Sequence, residues 1–428
     1  MHDSPRILVV GAGQAGLGLA RGLLAHGVEV TVVSAQTPQQ MRRQRPRSTQ
    51  VKFPRALAVD RRWGNDLYDD QAPPITGLQV RVPGLQPLDL VGRGPLADTP
   101  ARSVDQRLVM PALLEAVERA GGRTRYEQVT DLAVLADGYD LVVVTAGRGP
   151  LAERFPVDRR WQRYDRPQRH LFLAYVDGMR GVADPRLPGP GVTMTMLPGA
   201  GELFTIPALS GDDAGTRQVG MLLVEAVPGG PLDRFGDANL GPAEALDTAR
   251  EVYREFAPAD HDRIRTATPA DQWSTATGAV LPTVREPVLE LPNGVTALAA
   301  GDTWVTQDPV AAQGSNTATV TYGALLDAIL GRIADGRALD AAWARRFTAQ
   351  LFAATLAPAA RWSLSMIAPP DQVPPHVPAL LAAGARFPQV ADRLVAGFDD
   401  PATLGWFADP DRAREYLRRV GAEAPVNA

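Results

Sequence analysis

The stretch Gly11-Ala12-Gly13-Gln14-Ala15-Gly16 restricts this chain more than any other. It follows the β-rich run Arg6–Val10 and opens Leu17–His26, where Leu19, Ala20, Leu23 and Leu24 fall at helical spacing and Gly27 offers a stop. Val28–Val33 is again β-rich, so the spacing predicts a βαβ unit. Glycines at these places permit a tight turn and close approach of a pyrophosphate, and the helix start supplies free N–H groups with partial positive charge. A dinucleotide is therefore the expected ligand, with Gly11, Gly13, Gln14, Ala15 and Gly16 around its pyrophosphate. The acidic residue that usually ends the second strand is replaced by Ser34. A carboxylate on the ribose makes charged hydrogen bonds of ~1.5–3 kcal/mol, so a hydroxyl there predicts a looser, reversible adenosine grip.

A second cluster lies far along the chain. The apolar run Val295–Ala300 ends in Gly301-Asp302, followed by Asp308-Pro309 and then Gln313-Gly314-Ser315-Asn316 at the start of a helical stretch. This is how FAD hydroxylases hold their cofactor: the Asp bonds the ribityl chain, and the helix dipole faces the pyrimidine edge of the ring, where reduced flavin is negative. Two clusters that both fit FAD favour FAD over NAD.

Between them the texture changes. Leu171–Val176, Val192–Met196, Glu202–Ile206 and Val219–Glu225 are short β-type runs set apart by Gly/Pro turns, with one helix at Asp247–Phe256. The expected fold is α/β: an FAD-binding Rossmann-like domain of the aromatic-hydroxylase type (residues 1–164 and 291–335), an inserted antiparallel β-sheet substrate domain (165–290) and a C-terminal helical region (336–428) that closes the pocket. An apolar pocket is expected near Val192–Met196, Phe204–Pro207, Val219–Leu223 and Val280-Leu281-Pro282.

Composition narrows the chemistry. There is no cysteine, which excludes thiolate nucleophiles and Cys-ligated metals. The five histidines (His2, His26, His170, His261, His376) lack ligand spacing, so no metal is expected. A net charge of -4 gives no basic footprint for nucleic acid. No apolar run approaches the ~20 residues of a membrane span, and a soluble, cytoplasmic protein is expected. Trp273 and Trp304 stand alone, without the paired tryptophans of flavin halogenases, and read as core or pocket wall.

Gly11–Gly16, Asp105-Gln106-Arg107, Pro198-Gly199-Ala200-Gly201-Glu202 with Ile206-Pro207, and Gly301-Asp302 through Asp308-Pro309 to Gly314-Ser315-Asn316 together resemble the FAD-dependent styrene monooxygenases and the related indole monooxygenases. The resemblance runs from residue 6 to about 410. It implies the oxygenase component of a two-component epoxidase, which inserts one oxygen of O2 into an electron-rich alkene, indole or sulfide through a flavin C4a-hydroperoxide. It also implies a separate NAD(P)H:flavin reductase that supplies reduced FAD, a small apolar or aromatic substrate, and leaves a homodimer open. By resemblance Arg45 lies near the isoalloxazine, Arg107 near the phosphates or ribityl, and Gly301 and Asp302 at the ribityl. Pro309, Gly314, Ser315 and Asn316 then line the ring, and Arg45, Ser48 and Asn316 are the expected catalytic positions. The chain departs from the family at Arg47-Ser48-Thr49-Gln50, where an apolar residue precedes Asn-Thr-Val, and this points to a more polar or larger substrate. Single-component hydroxylases of this fold carry an Asp-Gly motif after the buried strand near residue 145; here Ala146-Gly147 stands there. The alternatives are such a single-component, NAD(P)H-dependent hydroxylase, or a non-catalytic, protein-binding member of the fold.

Overall fold

The structure is a computed structural model that describes residues 5–48, 50–84, 87–181, 183–212, 215–236 and 240–422. His2 and Thr49 lie outside the described residues.

The chain opens with β1 (Arg6–Val10), α1 (Gln14–Ala25) and β2 (Glu29–Ser34). Ile7, Leu8, Val9 and Val10 are all buried, as expected of a strand covered on both faces. The chain then leaves for the hairpin β3 (Leu78–Val82) and β4 (Leu88–Gly92), and returns through α2 (Gln106–Arg119), β5 (Arg123–Tyr126) and β6 (Leu141–Val144). A run of long strands follows: β7 (His170–Asp177), β8 (Val192–Leu197), β9 (Gly201–Asp212) and β10 (Gly215–Ala226). Next come α3 (Pro242–Phe256), β11 (Thr268–Pro269), β12 (Thr275–Ala279), β13 (Thr283–Val284), β14 (Val288–Glu290), β15 (Thr296–Ala299) and β16 (Val305–Thr306). The 22-residue α4 (Gln313–Ala334) leads into C-terminal helices that include α5 (Ala357–Met366).

Two sheets result. The first has the order β14-β15-β6-β1-β2-β5 and is parallel except at its β14 edge. The second has the order β11-β7-β10-β9-β8-β3-β4, with β12 also on β7. Its pairs are antiparallel except β3 on β8. The expected boundaries therefore need correcting. The hairpin β3–β4, assigned by sequence to the nucleotide domain, extends the second sheet, because its partner β8 lies more than a hundred residues on and nothing local reveals the pairing. β14, assigned to the insertion, belongs to the first sheet, because it pairs with β15.

The second sheet buries both faces. Phe172, Ala174, Leu222 and Val224 pack under α3. Leu173, Met194, Phe204, Ile206, Met221 and Leu223 face the other way and share a core with Phe53, Trp362, Val395, Phe398 and Leu404. The C-terminal helices thus cover this face, and most of the residues expected to line an apolar pocket are packed core. Where α1 crosses α4, a Cβ on Gly18 would lie 2.6 Å from the Tyr322 ring and one on Gly22 2.0 Å from Leu326. These two glycines let the helices approach closely and bring their N-termini together. Among the described residues, no helix is long and apolar enough to cross a membrane.

Candidate active site

The cavity between the sheets has a volume of about 890 Å³, within the roughly 300–1,000 Å³ usual for ligand sites. It reaches from Ser34, Gln36 and Glu127 at one end to Pro309 and Leu171 at the other. Both helix starts identified from the sequence open into it. At α1, Gly13 caps the helix without a side-chain bond. At α4, Ala312 caps it in the left-handed region at φ 52°, again without a side-chain bond. Each helix therefore turns unsatisfied N–H groups and the positive end of its dipole toward the cavity. The wall holds Gly11, Gly13, Gln14 and Ala15 from the first turn, and Gly301, Asp302, Pro309, Gly314 and Ser315 from the second cluster. Gly16 stands behind this wall, where a Cβ would be 2.5 Å from the carbonyl oxygen of Gly11.

Asp302 is the acid exposed on this wall, and its carboxylate accepts no hydrogen bond from any described side chain or backbone. Desolvation by the protein packed around it raises its carboxyl, while Arg148 pulls the other way. An acid left without a donor at a cavity wall fits a ligand hydroxyl.

Other expected site residues are committed to the protein. Gln14 donates to Thr319 and accepts from Ser315 Oγ at 2.8 Å, which ties α1 to α4. Ser34 Oγ closes a turn on the Gln36 carbonyl at 2.6 Å, beside the cavity end. Arg107 lines the cavity, but Asp105 holds its guanidinium at 2.9 and 2.6 Å and Asp271 at 3.1 Å. These carboxylates keep it protonated against burial, and little net positive charge is left for a phosphate.

Two of the three expected catalytic positions are not on the cavity. Arg45 is exposed and borders a small pocket of about 10 Å³ beside Phe172, Phe235 and Thr275. The neighbouring Gln44, Pro46, Arg47 and Ser48 line the main cavity instead. Asn316 is buried and spends its amide on the backbone: it accepts from Phe53 N at 2.9 Å and donates to Val51 O at 2.7 Å and Ala312 O at 2.6 Å. It is a positioning residue that anchors segment 51–53 to the start of α4. Asn316→Ala leaves buried backbone groups unpaired at about 1–3 kcal/mol each, so a loss of about 3 kcal/mol is expected in denaturant unfolding. Ser48 does line the cavity and accepts from Gln106 Nε2 at 3.0 Å.

The sequence reading missed Glu127. It follows β5, hydrogen-bonds through its N–H to the Ser34 carbonyl at 3.0 Å, and places a carboxylate, paired with Arg125 at 2.6 Å, at the cavity end where β2 lacks one. Its distance along the chain from Ser34 gave no signal. Leu171, Leu173 and Leu223 of the second sheet, with Val280 just after β12, supply an apolar wall. Trp304 is core, stacked on Phe352, whereas Trp273 is exposed. Among the described residues, no three His, Asp or Glu side chains are grouped to hold a metal ion.

The family model for the substrate-binding domain of styrene monooxygenase A matches residues 147–263. The styrene monooxygenase StyA of Pseudomonas fluorescens is 30% identical over 97% of this chain and 98% of its own length. A second StyA, from a Pseudomonas sp., is 29% identical over 96% of this chain and 97% of its own. Among solved structures, the flavin-dependent brominase Bmp2 superposes with a TM-score of 0.69 at 15% identity, over 97% of this chain and 100% of its own. A point mutant of the halogenase PltM, in complex with FAD, gives a TM-score of 0.63 at 12% identity, over 98% of this chain and 93% of its own. At such identities these two structures speak for the fold alone.

Proposed function

Since the chain belongs to the styrene monooxygenase family of flavin-dependent monooxygenases, we propose that it binds FAD in the cavity between its sheets and oxygenates an electron-rich alkene, indole or sulfide. A separate NAD(P)H:flavin reductase supplies the reduced FAD. The observation that carries this reading is the convergence of two uncapped helix N-termini and the unpartnered Asp302 on one cavity.

The donor set fits FAD. Backbone N–H groups at Gly11–Ala15 would hold the pyrophosphate, and Asp302 the ribityl hydroxyls. Glu127, beside Ser34, would reach the ribose. Pro309, Gly314 and Ser315 would line the ring. When bound, the flavin supplies the electrons and the activation of O2. The chain's own part is to exclude water with Leu171, Leu173, Leu223 and Val280, to aim the substrate, and to stabilise negative charge at the start of α4. No nucleophile or metal from the protein enters this account. Gln106 and Ser48 are a hydrogen-bonded polar pair on the wall and are suited to orienting a substrate with a polar group.

Asp302→Ala is expected to weaken FAD by about 10- to 100-fold, the loss of a charged hydrogen bond, with little change in unfolding because the carboxylate braces no described residue. Fluorescence titration of FAD reads this directly. The proposal as a whole is tested with an unrelated flavin reductase, NADH, FAD and a panel of styrenes, indole and aryl sulfides. Epoxide, oxygenated indole or sulfoxide is expected. Hydrogen peroxide as the sole product across the panel, with FAD bound, overturns it.

A further inference from the structure

The cavity-side face of the second sheet turns from apolar to acidic at the end of β10. Leu223 and Glu225 are two residues apart and share that face. Glu225 is in register with Glu202 on β9 and Leu171 on β7, and Leu171 and Leu223 line the cavity. Glu202 is neutralised: Arg169 holds its carboxylate at 2.7 Å through Nε and at 2.9 Å through a terminal nitrogen. Glu225 has no such partner. It is 0% exposed, and neither carboxyl oxygen receives a donor. The side chain within hydrogen-bonding reach of it is another acid, Asp308. Asp308 is also 0% exposed; its Oδ1 accepts from Val310 N at 3.2 Å, and its Oδ2 receives no donor.

Asp308 belongs to the other part of the fold. It caps the short turn Pro309–Ala311 ahead of α4, its carbonyl accepts from Ser363 Oγ on α5 at 2.9 Å, and the next residue, Pro309, forms cavity wall. The charged groups that act on the pair are Arg169, just ahead of β7, and Glu202 on β9. Three buried carboxyl groups thus face one guanidinium already committed to Glu202. Two carboxylates are both acceptors and can meet only across a proton. From this geometry we propose that Glu225 and Asp308 share a single proton, and that this proton fastens the Asp308–Pro309 turn to the second sheet, so that FAD binding is lost with it. The link to FAD rests on the flavin reading of the cavity; the shared proton does not.

Burial raises both carboxyl groups, and Glu225 is pushed well above the ordinary carboxylate range, with the neighbouring acids adding to the effect. The folded chain therefore keeps a proton that the unfolded chain loses near pH ~4. Stability falls as pH rises from there through the folded value of the pair, then levels off. With one linked proton, the FAD dissociation constant rises above that value by at most about tenfold per pH unit.

The test titrates the chain with oxidised FAD from neutral into alkaline pH, by quenching of flavin fluorescence, and records the infrared spectrum of the flavin-free protein. Wild type is expected to lose affinity with pH and to show the C=O band of a neutral carboxylic acid at neutral pH. Glu225→Gln, whose amide N–H donates permanently to Asp308, is expected to bind FAD with little pH dependence and to lack the band. Asp308→Asn serves the same purpose if the first variant does not fold. Equal pH slopes in wild type and variant overturn the link to the cavity, and absence of the acid band overturns the shared proton. No FAD binding by wild type at any pH would instead count against the flavin reading, while the infrared band still decides the proton.

Discussion

Gly11→Val is expected to abolish FAD binding and to cost about 2–5 kcal/mol of stability. Gly11 sits between the ends of three strands: its N–H donates to Val33 O at 2.8 Å, and its carbonyl accepts from Thr145 Oγ1 at 2.7 Å. Its φ is +112°, which a β-branched residue does not adopt without strain. A Cβ there would lie 2.5 Å from the carbonyl carbon and oxygen of Thr145, which are backbone atoms at the end of a buried strand and cannot swing aside. Either the turn or β6 must move, and both form the wall where the pyrophosphate is expected. Gly27→Ala is the control: φ is +75°, but nothing lies within 4 Å of its Cβ position and it is remote from the cavity wall. It carries backbone strain alone and should keep FAD affinity. Thermal unfolding and FAD titration of both variants separate the effects, and wild-type FAD affinity in Gly11→Val would place the cofactor elsewhere.

The second large effect concerns the source of electrons. With FAD and NADH or NADPH but no reductase, the chain is expected to leave absorbance at 340 nm unchanged above background. Adding any NAD(P)H:flavin reductase should restore oxidation. Residues 145–149 line the cavity, and the position where single-component hydroxylases carry an Asp is Ala146, whose methyl group offers neither charge nor hydrogen bond. Arg148 is on the same wall, but its guanidinium donates to the Ala279 carbonyl at 3.0 Å and faces Asp302, so it is partly engaged. Ser34 is turned onto Gln36 and Glu127 is paired with Arg125, so both polar side chains at that end of the cavity are already engaged, consistent with a flavin that arrives reduced and leaves oxidised. Rapid NAD(P)H oxidation by the chain alone, stimulated by substrate, would assign it to the single-component class.

What could be read in advance divides along the range of the interactions. The βαβ unit at residues 6–34 and the strand–turn–helix at 296–334 are local patterns, and both end where the glycines and the α4 start predicted. The strands β7–β10 were legible because long apolar runs are broken by Gly/Pro turns. The hairpin β3–β4 was not, since its place depends on β8, distant in the chain. Side-chain roles were harder still. Asn316 was recognised as the start of a helix at the site, but its three backbone partners at Val51, Phe53 and Ala312 decide what its amide does. Arg45 and Arg47 differ by two residues in an irregular segment with no periodicity to say which meets the cavity. Arg107 could be matched to a motif, yet Asp271, which completes its neutralisation, lies in another domain segment. Nor could any local signal bring Glu225 against Asp308, because one ends a strand of the second sheet and the other opens a turn before α4.

Reduced FAD and O2 are expected to suffice for this cavity to oxygenate its substrate, without electrons from any other source in the protein. This is tested most directly in a single turnover: the chain is mixed anaerobically with chemically reduced FAD and styrene or indole, without reductase or NAD(P)H, and then exposed to O2. Oxygenated product approaching one equivalent per bound flavin is expected, and its loss in Gly11→Val. Stoichiometric hydrogen peroxide with no oxygenated product, from protein that demonstrably holds the reduced FAD, would contradict it.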